Sequence, residues 1–133
     1  MDVTEKIKVG MKKQETESVC DANTAARVGS GLLPVYATPA MIALIEKAAA
    51  GLAEEQLPEG WTSVGIAMNV AHSSATPVGM GVRAEAEVTA VDGRKISYKV
   101  TAYDDAGEIG SGTHERFAVA KEKFMAKAQS KLS

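Results

Sequence analysis

The stretch Thr38-Pro39-Ala40-Met41-Ile42-Ala43-Leu44-Ile45-Glu46-Lys47-Ala48-Ala49-Ala50-Gly51-Leu52 decides how the rest of the chain is arranged. Threonine is a good N-cap and proline a good first helical residue. Met41, Leu44, Ile45, Ala48 and Leu52 then recur at helical spacing. Leu57-Pro58-Glu59-Gly60 closes the helical region. Beyond Gly60 the chain alternates with a period of two. Thr62, Val64, Ile66, Met68, Val70 and His72 alternate with Ser63, Gly65, Ala67, Asn69 and Ala71. After a turn around Ala75-Thr76-Pro77, Val82, Ala84, Ala86, Val88 and Ala90 alternate with Arg83, Glu85, Glu87 and Thr89. Asp92-Gly93 is a strong two-residue hairpin signal. Ile96, Tyr98, Val100 and Ala102 carry the return strand, Asp105-Ala106-Gly107 makes the next turn, and a last strand runs from about Ile109 to Val119.

Upstream of the helix, a first strand is expected around Lys12–Val19. Residues 21–34, small and polar with Gly29-Ser30-Gly31 at their centre, are expected to form a loop or mobile flap. A short Lys-rich helix or tail closes the chain. The order is therefore one strand, one long helix and four antiparallel strands. Strands of about 10–12 residues, against a typical 5–6, let one sheet curl around one helix. No second layer exists to bury the sheet, so the helix must fill the core. Arg83, Glu85 and Glu87 mark an outer, solvated face. With no repeat or linker, residues 1–133 are expected to form one α+β domain.

Composition narrows the function. The 133 residues are 45% hydrophobic and 24% charged, with a net charge of −2. A chain of this length buries roughly two-thirds of its unfolded surface and needs no staple. The charge balance argues against a nucleic-acid partner. Cys20 is the lone cysteine, so no intramolecular disulfide forms, in keeping with a reducing compartment. The amino terminus has no apolar signal run. The most apolar stretch, Tyr36 to Ala53, is interrupted by Glu46 and Lys47 and does not span a bilayer. The expected location is cytoplasmic, with no membrane partner. Two histidines and one cysteine without ligand spacing suggest no metal, and no cofactor motif is present.

Several residues stand out. On a helix, Glu46 has Ile42, Ala43, Ala49 and Ala50 as neighbours, none of which pairs with it. Either it reaches water at the helix edge or it meets a partner from elsewhere. His72 ends an apolar row and is expected to face the helix. It is either an acid/base group or a strand-end ring with one hydrogen bond. Thr38 serves as a cap, yet a hydroxyl at a helix start is also placed to attack or to orient water. With Pro39 lacking an N–H, the Ala40 and Met41 amides are the expected oxyanion donors. Gly65 inside a strand marks a bulge, tight packing or a ligand. In Gly110-Ser111-Gly112-Thr113-His114-Glu115-Arg116, the glycines and charges fit a solvated edge strand or a ligand-lining one. In the second case Arg116 offers a fork to a carbonyl or phosphate. Lys121, Lys123, Lys127 and Lys131 read as a solvated helix face.

Three segments together resemble the hotdog-fold acyl-CoA thioesterases of the fluoroacetyl-CoA thioesterase-like group. They are Tyr36-Ala37-Thr38 leading into Met41–Glu46, Val70-Ala71-His72-Ser73-Ser74-Ala75-Thr76-Pro77, and Gly110 to Arg116. The resemblance implies a hotdog fold, one long helix wrapped by a five-stranded antiparallel sheet, paired as a homodimer. It implies hydrolysis of an acyl-CoA thioester to a free acid and CoA. It places the catalytic threonine, glutamate and histidine on Thr38, Glu46 and His72, and the glycine and arginine of the acyl pocket on Gly65 and Arg116. The flap Gly29-Ser30-Gly31-Leu32-Leu33 has none of the bulky aromatics of the fluoroacetyl-specific enzyme, which implies little selectivity for a fluorinated acyl group. His72 would be the general base, and Thr38 the nucleophile or a water-positioner. Glu46 would orient His72 or act as the base itself. Two other functions fit the fold: an enoyl-CoA hydratase, against which stands the absence of an aspartate near His72, and a non-catalytic acyl-CoA-binding module.

Overall fold

The computed structural model describes residues 2–133. Its elements are β1 (Lys12–Ser18), a short helix α1 (Ala25–Val28), the long helix α2 (Thr38–Gln56), β2 (Trp61–His72), β3 (Gly81–Asp92), β4 (Lys95–Asp104), β5 (Gly107–Ala120) and α3 (Lys121–Gln129). The five strands form one sheet in the order β1-β3-β4-β5-β2, and every neighbouring pair is antiparallel. This is the hotdog arrangement expected from the sequence. Helix α2 carries the chain from β1 at one edge to β2 at the other. The late strand β5 is therefore interior, not an edge strand with solvated charges, and the free edges belong to β1 and β2.

The apolar stripe of α2 is its buried face: Met41, Leu44, Ile45, Ala48, Ala49, Leu52 and Ala53. They pack on Val82, Ala84, Ala86, Val88, Ile96, Tyr98, Val100, Ala102 and Ile109 from the concave face of the sheet. Burying one large side chain of this kind contributes about 1.5–3 kcal/mol. Alanines on both surfaces let the helix lie close to the sheet. The β1 edge carries Lys12, Lys13, Glu15 and Glu17, charges that discourage a further strand from adding there. No helix among the described residues is long and apolar enough to cross a membrane.

Four local expectations need correction. The N-cap of α2 is Ala37, with Thr38 as its first residue, and no side chain caps the helix. Residues 21–34 are not all loop: a 3-10 turn spans Asp21–Asn23, and α1 comes next, capped by the Thr24 hydroxyl and ended by Gly29 at φ 85°. The β3–β4 loop is Gly93-Arg94, one residue later than Asp92-Gly93, because Asp92 still pairs with Lys95. Gly93 takes φ 60°, as the first central residue of a II′-type turn requires. The fourth correction shapes the site. The register of β2 on β5 slips between Gly65 and Ala67, leaving Ile66 as a bulge residue, 51% exposed. The bulge reverses the alternation. Ser63 and Gly65 face inward before it, and Met68, Val70 and His72 after it.

Candidate active site

Thr38 and His72 meet. The first turn of α2 lies over the end of β2, and Thr38 Oγ1 is 2.7 Å from His72 Nδ1. Gly110 makes this approach possible. It is the register partner of His72, and a Cβ there would sit 2.6 Å from the Ala71 carbonyl and 2.9 Å from Met41 Sδ. Because Ala37 occupies the cap position, the Thr38 hydroxyl is free for the imidazole. Burial lowers the His72 pKa, with a smaller opposing effect from the nearby Ser74 backbone. The ring is thus neutral near pH 7, and Nδ1 accepts the threonine proton when Nε2 carries the ring hydrogen. His72 Nε2 is itself buried without a hydrogen-bond partner among the described residues. A cleft of about 260 Å3 opens over the pair, lined by Ala25, Ser30, Val35, Tyr36, Thr38 and His72 among others.

The amides at the helix start differ in part from expectation. Met41 N–H donates to the Ala37 carbonyl at 3.0 Å, so it is not an open donor. Ala37 N–H is taken by the Asn23 carbonyl. Thr38 and Ala40 N–H have no partner among the described residues, as expected within the first helical turn. The oxyanion role assigned to Met41 therefore falls, and that of Ala40 stands open.

Glu46 lies elsewhere. Eight residues along α2 from Thr38, it is about 12 Å further down the helix axis, out of reach of His72 within the chain. Its partner is Arg116, with Nη1 3.6 Å from Oε2, the glutamate side chain being 45% exposed and the arginine 8%. The carboxylate sits over Gly65, where a Cβ would come within 2.9 Å of Oε2. Glycine at this position leaves room for the acid. Arg116 is not a free fork: Nε donates to Ser63 Oγ at 2.8 Å and Nη2 to the Ser63 carbonyl at 3.0 Å. Burial pulls its pKa down, opposed by Tyr98 and Glu46, yet an arginine stays protonated at any working pH. A second cleft of about 250 Å3 is lined by Ile42, Glu46, Gly65, Ile66, Ala67, Met68 and His114.

The chain thus holds two side-chain clusters along the open β2 edge, Thr38 with His72 at one end and Glu46 with Gly65 and Arg116 toward the other. His114 and Ser63 join the second, and neither stood out as a site residue in the sequence. The usable signal for His114 was its place two residues before Arg116 on one strand face. A roomier cleft of about 520 Å3 lies away from both, lined by Glu17, Arg83, Tyr103, Asp104 and Asp105 among others. It holds no histidine, and Arg83 stacks on Tyr103 at 4.1 Å, so the chemistry favours the smaller clefts.

Residues 19–122 match the family described as fluoroacetyl-CoA-specific thioesterase. The fluoroacetyl-CoA thioesterase of Streptantibioticus cattleyicolor is 44% identical over 97 residues, which is 73% of this chain and 70% of that protein. A solved structure of a fluoroacetyl-CoA thioesterase, a threonine-to-serine variant in complex with acetyl-CoA, superimposes with a TM-score of 0.90 at 34% identity, covering 96% of this chain and 100% of the other. A hot-dog-like protein from Thermanaerovibrio acidaminovorans reaches a TM-score of 0.90 at 24% identity over 100% of this chain and 98% of its own, a likeness of fold alone.

Proposed function

Because this chain belongs to the fluoroacetyl-CoA-specific thioesterase family, we propose that it hydrolyses acyl-CoA thioesters at a composite site shared by two copies. The observation that carries the proposal is the 2.7 Å Thr38–His72 hydrogen bond in a cleft beside an open sheet edge. Thr38 Oγ attacks the thioester carbonyl as His72 Nδ1 takes its proton. The oxyanion gathers at the start of α2, where the Ala40 N–H and the helix field favour negative charge. Collapse releases CoA as a thiol, protonated by His72, and water then cleaves the acyl-threonine with His72 again as base. The same geometry also lets the Thr38 hydroxyl pass a proton from an attacking water, and trapping of an acyl-threonine separates the two routes.

Glu46 enters through the partner. The β2 edge exposes Gly65, Ile66, Ala67, Asn69 and Ala71, and an unpaired apolar edge is a liability unless covered. Antiparallel pairing of two β2 edges about a two-fold centred between Met68 and Asn69 sets His72 against the partner subunit's Gly65. The partner subunit's Glu46 then lies beside the Thr38–His72 pair, where a carboxylate can orient the imidazole and stabilise its charged form. A homodimer is thus part of the active unit. The cytoplasm, where acyl-CoA and a reduced Cys20 coexist, is the proposed location.

The test is thiol release from a panel of acyl-CoAs, with Tm measured in parallel. Thr38→Ala and His72→Ala should lower kcat by about 10²–10⁴-fold, the scale of general acid–base catalysis, while both remain folded. Thr38→Ser should retain much of the rate. Folded Thr38→Ala and His72→Ala proteins with wild-type turnover would reject the site.

A further inference from the structure

We infer that His114 is a positioning residue for the catalytic carboxylate, acting on Glu46 through Arg116. The inference rests on the proposed role of Glu46. His114 is 1% exposed on β5. Its Nδ1 lies 2.8 Å from the Ala67 carbonyl, the residue directly after the Ile66 bulge. A carbonyl only accepts, so Nδ1 carries the proton and Nε2 presents a lone pair. That lone pair faces Arg116 Nη1 at 3.2 Å. Arg116 is therefore held on three sides, by Ser63 Oγ, by the Ser63 carbonyl and by His114 Nε2. Nη1, the nitrogen that His114 holds, is also the one 3.6 Å from Glu46 Oε2. The three groups converge over one point: a Cβ on Gly65 would lie 2.9 Å from Glu46 Oε2, 3.3 Å from His114 Cε1 and 3.5 Å from Arg116 Nη1.

One ring thus does two things at once. Its N–H fixes the carbonyl that re-phases β2, and its bare nitrogen fixes the guanidinium that aims the carboxylate. Neutrality is needed for the second, because a second proton would remove the acceptor and set two cations side by side. Burial holds His114 in the neutral form, assisted by Arg116 and opposed by the Ala67 hydrogen bond, Glu46 and Glu115. Tyr98 stacks on the ring at 5.8 Å between centroids and fixes its plane, while its own hydroxyl donates to the Ala49 carbonyl at 3.0 Å.

A purely structural histidine would fill space and satisfy Ala67, and two amide substitutions separate that role from the proposed one. His114→Asn offers an N–H near the Nδ1 position and removes the acceptor at Nε2, whereas His114→Gln places its amide oxygen near Nε2 and gives up the bond to Ala67. The full-length protein is assayed with acetyl-CoA for kcat and KM, with Tm alongside. His114→Asn should lower kcat about tenfold or more with KM little changed, and His114→Gln should restore most of kcat. Adding His114→Asn to Glu46→Gln should lower kcat no further than Glu46→Gln alone. Equal loss in both amide variants, tracking Tm, would overturn the positioning role and leave Glu46 untouched. Wild-type kcat in Glu46→Gln would overturn the role of the carboxylate and this inference with it. Should His114→Asn not fold, His114→Phe keeps an aromatic ring against Tyr98 but removes the acceptor facing Arg116 and should lower kcat in the same way, and wild-type kcat there overturns the inference.

Discussion

If each active site draws Thr38 and His72 from one protomer and Glu46 from the other, two inactive proteins can rebuild a working site together. Glu46→Gln and His72→Ala are each expected to lose about 10²–10⁴-fold in kcat. In a heterodimer of the two, one site combines the intact histidine of the first chain with the intact glutamate of the second. The other site collects both substitutions. The heterodimer should therefore run at about half the wild-type rate, and random mixing, which makes about half of the dimers mixed, should yield about one quarter. That stands at least about 25-fold above either parent, taking the smallest loss. The basis is the spacing along α2, since Glu46 and Thr38 are separated by about 12 Å of helix. Differently tagged chains are co-expressed, the doubly tagged species is purified, and thiol release is compared with both homodimers. A site built within one protomer predicts the opposite, because every site in the heterodimer then carries a substitution. A heterodimer no faster than its parents, with a mass by light scattering of about twice 13.9 kDa, would refute the shared site. A monomer at micromolar concentration would remove its premise.

The same geometry sets further outcomes. The folded pKa of both His72 and His114 is lowered by burial, so the unfolded chain binds more protons on acidification. Stability should be full above about pH 6.5, the ordinary histidine value, and fall as pH drops through the lower folded values; a Tm that does not fall on acidification below about pH 6.5 would contradict the burial of the two neutral rings. Gly110→Ala should destabilise by about 1–3 kcal/mol and depress kcat as Met41 and the helix start are pushed off the sheet, and an unchanged Tm in thermal melts would show that the close approach at Met41 Sδ is not needed. The flap presents Leu32 and Leu33, 94% and 66% exposed, and no aromatic, so short and medium acyl-CoAs should be hydrolysed without strong preference for a fluorinated one. A specificity constant for fluoroacetyl-CoA several orders of magnitude above that for acetyl-CoA would refute this.

Much of the architecture was legible from residue order alone. The 3.6 period of Met41 to Leu52 identifies the helix, and the period of two in Val82 to Ala90 identifies a strand with one buried face, because each pattern matches the geometry of one backbone type. A single apolar helix and a set of long strands then leave one economical way to bury both. Thr38 and His72 were legible as candidates, since a hydroxyl at a helix start and a histidine ending an inward row are local features. Their contact was not local. It depends on Gly110 in a strand far along the chain, whose missing side chain admits the helix. The cap was misjudged for a related reason: where a helix begins is set by which carbonyl accepts the first bond, here Ala37 accepting from Met41.

The remainder was decided by tertiary structure. One bulge residue, Ile66, reverses which side chains of β2 face the helix, and no alternation in the sequence marks it except the glycine before it. The family resemblance brought Glu46, His72 and Thr38 into one expected site, yet within the chain the rigid rise of the helix holds Glu46 away and hands it to Arg116. Arg116 in turn is committed to Ser63 and His114 because a buried guanidinium must have its donors satisfied. Periodicity reports the face a residue occupies, which a short window of sequence determines. Which two faces meet, and whether a side chain reaches its partner within one chain or only across an edge, is a matter of register and distance between segments remote in sequence, and that is settled only when the sheet closes on the helix.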